Sequence, residues 1–484
     1  MSVKLKEYAA LDATGLADVI RRGELSPKEA AHAAAEAIAM LNGDLMAVVE
    51  TYADRIDSLD ETSLGDGPFR GVPFLIKDVT GHEKGRKIEF GSRLCEGLVS
   101  EVETNYAKLV KAAGLNIIGR TNTPEYSMAS SSENLLHGAT STPWRKGFAA
   151  GGSTGGGACA VAAGMVPVAN GSDIAGSIRI PASWCGGVGL KPSRGRISAG
   201  PGVAEGGHGL AMTFVQTRSM RDTAAFLDCL AKPQPGDPFV LWRPEAPWSS
   251  FLAGARKPLR IAFTVTPLMD HPVDPEVAEA VRKTAHTLAG MGHHLEEVKL
   301  PFDAAASIRE MAAIWFFEFD QWLDSLGKRT GRKPGPDTLE PITLATYEMA
   351  KNIDGHRFLR GLEWLNRQRR ALGAFVEPFD AVITPATAET APPLGPYGMN
   401  ITDMDLPTWL VHSEKPVQYA FLWNVLGAPA MSLPLYQHTN GLPIGVQVVA
   451  KPAREDVVIA LGADLERALP WVGRVPPHHV LNAR

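Results

Sequence analysis

The 484-residue chain carries 48 Lys and Arg against 53 Asp and Glu, a net charge of −5, with 45% apolar and 21% charged residues. This balance suits a globular protein with a large core and gives no basic footprint for nucleic acid or an anionic membrane surface. No apolar run approaches the roughly 20 residues of a spanning helix. The start of the chain, from Met1 to Glu7, has no signal-type segment. The four cysteines, Cys95, Cys159, Cys185 and Cys229, show neither disulfide-framework nor zinc-ligand spacing. The expectation is a soluble cytoplasmic protein with reduced thiols and without metal or other cofactor.

In chain order, the first sixty residues read as helices. Ser26-Pro27-Lys28-Glu29 joins an N-cap serine, proline at the first helical position and the glutamate of a capping box. That helix is expected to stop at Asn42-Gly43. Thr104 to Ala113 is helical in pattern, Gly114 ends it, and Leu115 to Ile118 follows as a buried strand. The small-residue stretch Ala158 to Ala169 suits a tightly packed helix. Leu259 to Val265 is strand-like, Asp274-Pro275-Glu276 caps a helix, and His294 to Leu300 alternates as a strand. From about 303 to 370 the pattern is a helical excursion containing Trp315, Phe316, Phe317, Phe319 and Trp322, with Lys328 to Pro336 as a surface loop. Ala381 to Thr384 and Ile444 to Val449 close the series as short apolar strands. Such alternation predicts an α/β sheet covered by helices on both faces.

Chemistry concentrates in two glycine-rich loops. One is Gly151-Gly152-Ser153-Thr154-Gly155-Gly156-Gly157, and the other places Ser177 24 residues later, in Asp173-Ile174-Ala175-Gly176-Ser177-Ile178-Arg179. Upstream, the apolar run Gly71 to Ile76 delivers Lys77 into the interior. A serine hydroxyl needs an adjacent base to act as a nucleophile, and lysine serves only where desolvation disfavours its ammonium. Gly151-Gly152-Ser153-Thr154-Gly155 also fits a G-x-S-x-G elbow with His412 as a distant histidine, but that scheme leaves Ser177 and Lys77 without a role. The glycine run lacks the Gly-Lys-Ser/Thr ending of a P-loop and the G-x-G-x-x-G spacing of a dinucleotide fold. Asp173 and Arg179, flanking Ser177, read as a buried ion-pair scaffold.

The serine loops, with Gly189-Leu190-Lys191-Pro192, resemble the amidase signature family. So do Gly71-Val72-Pro73 to Lys77-Asp78, Gly119 to Glu125, Gly427-Ala428-Pro429-Ala430 and Gly441 to Gln447, so that matching blocks run from about 70 to 450. The resemblance implies a single amidase-signature domain over 1–484, a twisted mixed β-sheet covered by helices on both faces. It implies a Ser-cisSer-Lys triad with Ser177 as nucleophile, Ser153 as the cis-serine and Lys77 as base. The oxyanion hole would come from the backbone amides of Ile174, Ala175 and Gly176 with Ser177, and Ser127 would line the substrate site. Ala175 departs from the family's usual glycine at its position. Trp315 and Phe316 are candidate pocket walls. The implied function is an acyl-enzyme hydrolase of non-peptide carboxylic amides, resembling in its Asp-x-Ala-Gly-Ser form and in Ala468 to Val472 the members that open cyclic oligoamides, with aryl amides and carbamates as competing substrates. A homodimer is expected from the family, and the partner is a small-molecule amide. The alternative within the family is the glutamine-hydrolysing subunit of a tRNA-dependent transamidation complex. Members of that type carry Arg-Tyr after the Gly-Leu-Lys-Pro block, where this chain has Arg194-Gly195-Arg196.

Overall fold

The computed structural model describes residues 3–269 and 271–483; Met1 and Ser2, the head of the expected N-terminal helical stretch, lie outside them. The strands in chain order are β1 Val48–Thr51, β2 Pro73–Lys77, β3 Asn116–Thr121, β4 Glu133–Asn134, β5 Gly138–Ala139, β6 Val168–Asp173 and β7 Val188–Lys191. They continue with β8 Met212–Thr217, β9 Arg260–Phe263, β10 His294–Glu297, β11 Ala381–Pro385, β12 Ala430–Gln437 and β13 Pro443–Ala450. β4 and β5 form a small hairpin. The other eleven make one mixed sheet in the order β1-β3-β2-β6-β8-β7-β12-β13-β11-β9-β10.

Both faces of the sheet are buried along its central strands, while the edge strand β10 is largely exposed. Ile383 pairs with Val448, and Val382 with Val449 and Ala262. Because successive side chains point to opposite faces, Ile383, Ala381, Ile261, Val446 and Val448 fall in one apolar cluster while Val382, Ala262 and Val449 fall in another. The first is closed by Val277, Val281 and Leu288 of helix Pro275–Gly290 and by Val458 and Leu461 of helix Glu455–Ala468. The second is closed by Ile314, Leu365 and Leu372 of helices Ala304–Trp315 and Gly355–Val376. Helices of the 303–370 stretch thus cover a face of the sheet. At a gain of about 25 cal/mol per Å² of apolar surface, a sheet buried on both sides is a rigid platform for loops at its strand ends.

Several local expectations needed revision. The Ser26 capping box forms, with Glu29 N donating to Ser26 Oγ at 3.2 Å and Ser26 N to Glu29 Oε2 at 2.9 Å. The helix nevertheless runs to Leu45, past Asn42-Gly43. Asn42 instead turns its side chain forward: Oδ1 accepts from Ala47 N and Val48 N, both at 2.8 Å, and Nδ2 donates to Val48 O at 2.7 Å. These bonds launch β1 inside a region read as wholly helical. The stretch Ala158 to Ala169 is also not one helix. The helix spans Gly155–Ala162, and β6 begins at Val168. A Cβ on Gly156 would lie 2.5 Å from Ala47 O and Asn122 N, so only glycine lets this helix seat against β1 and β3.

β2 and β6 are parallel neighbours, pairing Phe74 with Val168 and Leu75 with Ala169. Their carboxyl ends, Lys77 and Ser172-Asp173, therefore emerge side by side, where α/β sheets bind ligands. The loop that follows β3 is fastened to the helical excursion by two buried carboxyls. Glu125 accepts from Ser92 Oγ at 2.6 Å and from Glu340 N at 3.0 Å, while Glu340 Oε1 accepts from Leu135 N at 2.8 Å. Burial, with the Glu125 charge beside it, pushes Glu340 from 4.5 up to about 8. The folded protein then holds a proton that the unfolded chain releases, so this site makes stability fall as pH rises between those values. Replacing Glu340→Gln should flatten that decline: urea midpoints of variant and parent should separate in the variant's favour from pH 5 to pH 8, the parent losing up to about 1.4 kcal/mol per pH unit. Parallel titrations would contradict this.

Candidate active site

Lys77 ends β2 in a run, Pro73 to Lys77, that is buried at every position. Its Nζ lies 2.6 Å from Ser153 Oγ, 3.0 Å from Ser172 Oγ and 3.2 Å from Thr154 Oγ1. Ser153 follows a cis peptide bond with Gly152. Its carbonyl is gripped by Thr123 Oγ1 at 3.0 Å and Ser132 Oγ at 3.3 Å. The two serine loops are joined where Thr154 N donates to Ser177 O at 3.2 Å. Exposure orders the three groups, at 1% for Ser153, 2% for Lys77 and 9% for Ser177. Ser177 is the one a substrate can meet. Among the described residues its Oγ has no hydrogen-bond partner, and in ligand-free sites catalytic hydrogen bonds are often long or unformed.

The environment of Lys77 decides its chemistry. Burial pushes its amine down to about 7, against a smaller opposing pull from the Asp173 carboxylate. A neutral amine has two N–H donors and one lone pair, and three hydroxyl oxygens surround Nζ. Donation to Thr154 and Ser172 leaves the lone pair facing Ser153, the nearest of the three. Lys191 is equally buried, and its amine is likewise held well below its ordinary value. Its Nζ, however, contacts the Ala428 and Pro192 carbonyls at 2.5 and 2.9 Å, oxygens that carry no proton to give.

The loop from Asp173 to Ile178 is shaped by one carboxylate. Asp173 Oδ1 accepts from Gly176 N at 2.8 Å and Oδ2 from Ile178 N at 3.1 Å, bracketing Ser177. The Gly176 N–H, expected in the oxyanion set, is therefore committed to Asp173. The N–H groups of Ile174, Ala175 and Ser177 have no protein acceptor among the described residues. Gly176 has φ +125°, and a Cβ there would meet Ala420 Cβ and Ile180 Cδ1 at 2.8 Å, so this position needs glycine. Burial alone would raise the Asp173 carboxyl, but the Arg179 guanidinium, bound to it at 2.8 and 2.9 Å, holds it far below the usual carboxylate range.

Ser127, at φ +61°, places its Oγ 3.0 Å from Thr123 Oγ1 and so reaches the residues that hold Ser153. Trp315 is half-buried, meets Phe421 edge-on at 5.5 Å, and shares an apolar cluster with Ala175. Phe316 is buried among other residues, next to Phe319 at 6.0 Å. His412 stacks on Tyr397 at 4.8 Å, and Ser153 has Lys77 as its base-type partner, which removes the G-x-S-x-G scheme. Sequence reading missed Thr154 and Ser172 beside Lys77, and Thr123 and Ser132 on the Ser153 carbonyl. Ser172 becomes a neighbour of Lys77 only through the β2–β6 register, which no local pattern announces.

Asp78, Glu89 and His137 offer ligand atoms within 4.8 Å of one another. The Arg120 guanidinium already binds Asp78 and, at 2.6 Å, Glu89, so a cation there would face a fixed positive charge.

A family model described as Amidase matches residues 28–459. The chain belongs to the amidase family. A 6-aminohexanoate-cyclic-dimer hydrolase from Paenarthrobacter ureafaciens is 34% identical over 478 residues, 96% of each chain. An acylamidase from Rhodococcus erythropolis is 30% identical over 484 residues, 96% of this chain and 97% of that one. The solved structure of a 6-aminohexanoate cyclic dimer hydrolase complexed with substrate superimposes with a TM-score of 0.92 at 33% identity, covering 98% of this chain and 100% of that one. This amidase is accordingly a hydrolase of C–N bonds other than peptide bonds, on a single α/β domain. With Lys77 acting as a base, kcat/KM should fall about tenfold per pH unit below an apparent pKa near 7. A flat profile from pH 5 to 8 would contradict an amine base.

Proposed function

We propose that the chain hydrolyses small carboxylic amides through an acyl-enzyme on Ser177, with Ser153 and Lys77 as its proton relay. The observation that carries this reading is the 2.6 Å contact between a buried, deprotonated-prone Lys77 and Ser153 Oγ. Lys77 Nζ takes the Ser153 proton as Ser153 Oγ takes that of Ser177, and Ser177 Oγ bonds to the carbonyl carbon. The N–H groups of Ile174 and Ala175, with that of Ser177, hold the oxygen as it becomes negative; one such donor is worth about 10²–10³ in rate. The proton passes back through Ser153 to the departing nitrogen, the C–N bond breaks, and water releases the acyl group by the same relay.

The substrate class we infer is cyclic or linear oligoamides, in keeping with the relatives named for a cyclic dimer, with aryl amides and carbamates next. Trp315 and Ala175 supply apolar walls near the acyl site. The reaction needs no metal or other cofactor. We read 1–484 as one amidase-signature domain, with an N-terminal helical region and the 303–370 excursion as parts of it. The chain acts as a cytoplasmic enzyme, as a homodimer, without nucleic acid or membrane partners; among the described residues no helix is long and apolar enough to cross a membrane. The transamidation subunit is the weaker alternative, since the Arg-Tyr pair is absent.

Phenylmethylsulfonyl fluoride should leave its adduct on Ser177, read by peptide mass spectrometry, and Ser177→Ala should abolish turnover with the fold intact. An adduct on Ser153 would overturn the assignment. Lys77→Ala should lower amide hydrolysis by several orders of magnitude, at least as far as Ser153→Ala. Both should lose less on a matched activated ester, because an alkoxide leaves without the proton that an amine requires. Near-parental amide turnover by Lys77→Ala would contradict the relay.

A further inference from the structure

The nucleophile loop is held from a distant part of the chain that carries no catalytic motif. Asn424 lies in helix Phe421–Leu426, fully buried and 251 residues from Asp173 in sequence. Its Nδ2 donates to Asp173 O at 3.1 Å, to Asp173 Oδ1 at 2.9 Å and to Leu210 O at 3.0 Å. Its Oδ1 accepts from Arg179 Nη2 at 2.6 Å.

Neighbours permit only this orientation. A flipped amide would set Oδ1 against three oxygens and Nδ2 against a guanidinium. Arg179 cannot turn away either. Its Nε and Nη2 bind Asp173, and its Nη1 donates to Ala420 O and Gln447 Oε1, both at 2.7 Å.

The contact with Asp173 O matters because that carbonyl shares a peptide plane with the Ile174 N–H. In a trans peptide the two point in opposite directions. Fixing the oxygen on Asn424 therefore fixes the direction of an N–H that meets no protein acceptor among the described residues. The Asp173 carboxylate pins only the later amides, those of Gly176 and Ile178, and leaves the first peptide of the loop to Asn424.

We propose that Asn424 is a positioning residue that aims the Ile174 N–H at the substrate's carbonyl oxygen by gripping the Asp173 carbonyl. The inference rests on Ser177 being the nucleophile. Asn424→Asp keeps the side-chain shape and an oxygen for Arg179 but removes the N–H donors, and Asn424→Ser removes the reach altogether.

The test compares parent and both variants by kcat, KM, and inhibition by a trifluoromethyl ketone, whose adduct with the serine carries an oxyanion. A reduced, non-electrophilic amine analogue of the substrate reports ground-state binding. The expected result is a fall of about 10²–10³ in kcat, an equal loss of ketone affinity, and KM and amine-analogue affinity within about threefold of the parent. Folded variants with parental kcat and ketone affinity would overturn the proposal, as would losses that fall equally on ketone and amine analogue. If one variant does not fold, the other decides. Mass spectrometry of the parent's ketone or sulfonyl adduct separates a failure here from a failure of the Ser177 assignment, which would show as modification elsewhere.

Discussion

Desolvation of a single lysine is the constraint on which the site depends. An unpaired ammonium deep in a protein is costly enough that the group gives up its proton. Lys77 meets that condition because β2 lies inside the sheet, between β3 and β6, with every one of its residues buried. The same sheet geometry supplies its nearest hydroxyl. Parallel β2 and β6 end together, the helix starting at Gly155 packs over them, and the loop before that helix carries Ser153 to the amine. Secondary structure, packing and acid–base chemistry are here one arrangement seen at three scales.

A lysine kept neutral requires that nearby negative charge be spent elsewhere. Asp173 is the carboxylate that pulls the Lys77 pKa upward, and a free anion there would favour the ammonium. Arg179 absorbs that charge in a bidentate pair that no water reaches. The pair is better understood as electrostatic insulation and loop scaffold than as a source of stability, since buried ion pairs often contribute little net free energy. A second buried guanidinium, Arg120, binds the carboxylates of Glu50, Asp78 and Glu89.

The sequence made the strand–helix alternation, the Ser26 cap, the two serine loops and Lys77 legible, because each depends on local periodicity or on a motif dense in glycine. It hid whatever depends on pairing between remote segments. Asn42 launches β1 only because its side chain can fold forward onto Ala47 and Val48, so a helix stop at Asn42-Gly43 was the better local guess and still wrong. Ser172 becomes a partner of Lys77 through register, and Asn424 reaches Asp173 across 251 residues. The Gly176 N–H, expected in the oxyanion set, bonds Asp173 instead, and no local pattern reveals that this carboxylate bends back to take it.

The central claim is that burial lowers the Lys77 amine to about 7, so that its neutral form is populated at neutral pH. The direct test is NMR titration of the lysine side chains in protein labelled with ¹³C at lysine Cε, with Lys77→Met to assign the signal. The account predicts one Cε resonance that titrates with a midpoint near pH 7 and vanishes in that variant. A Lys77 signal that stays protonated to pH 10 would contradict it.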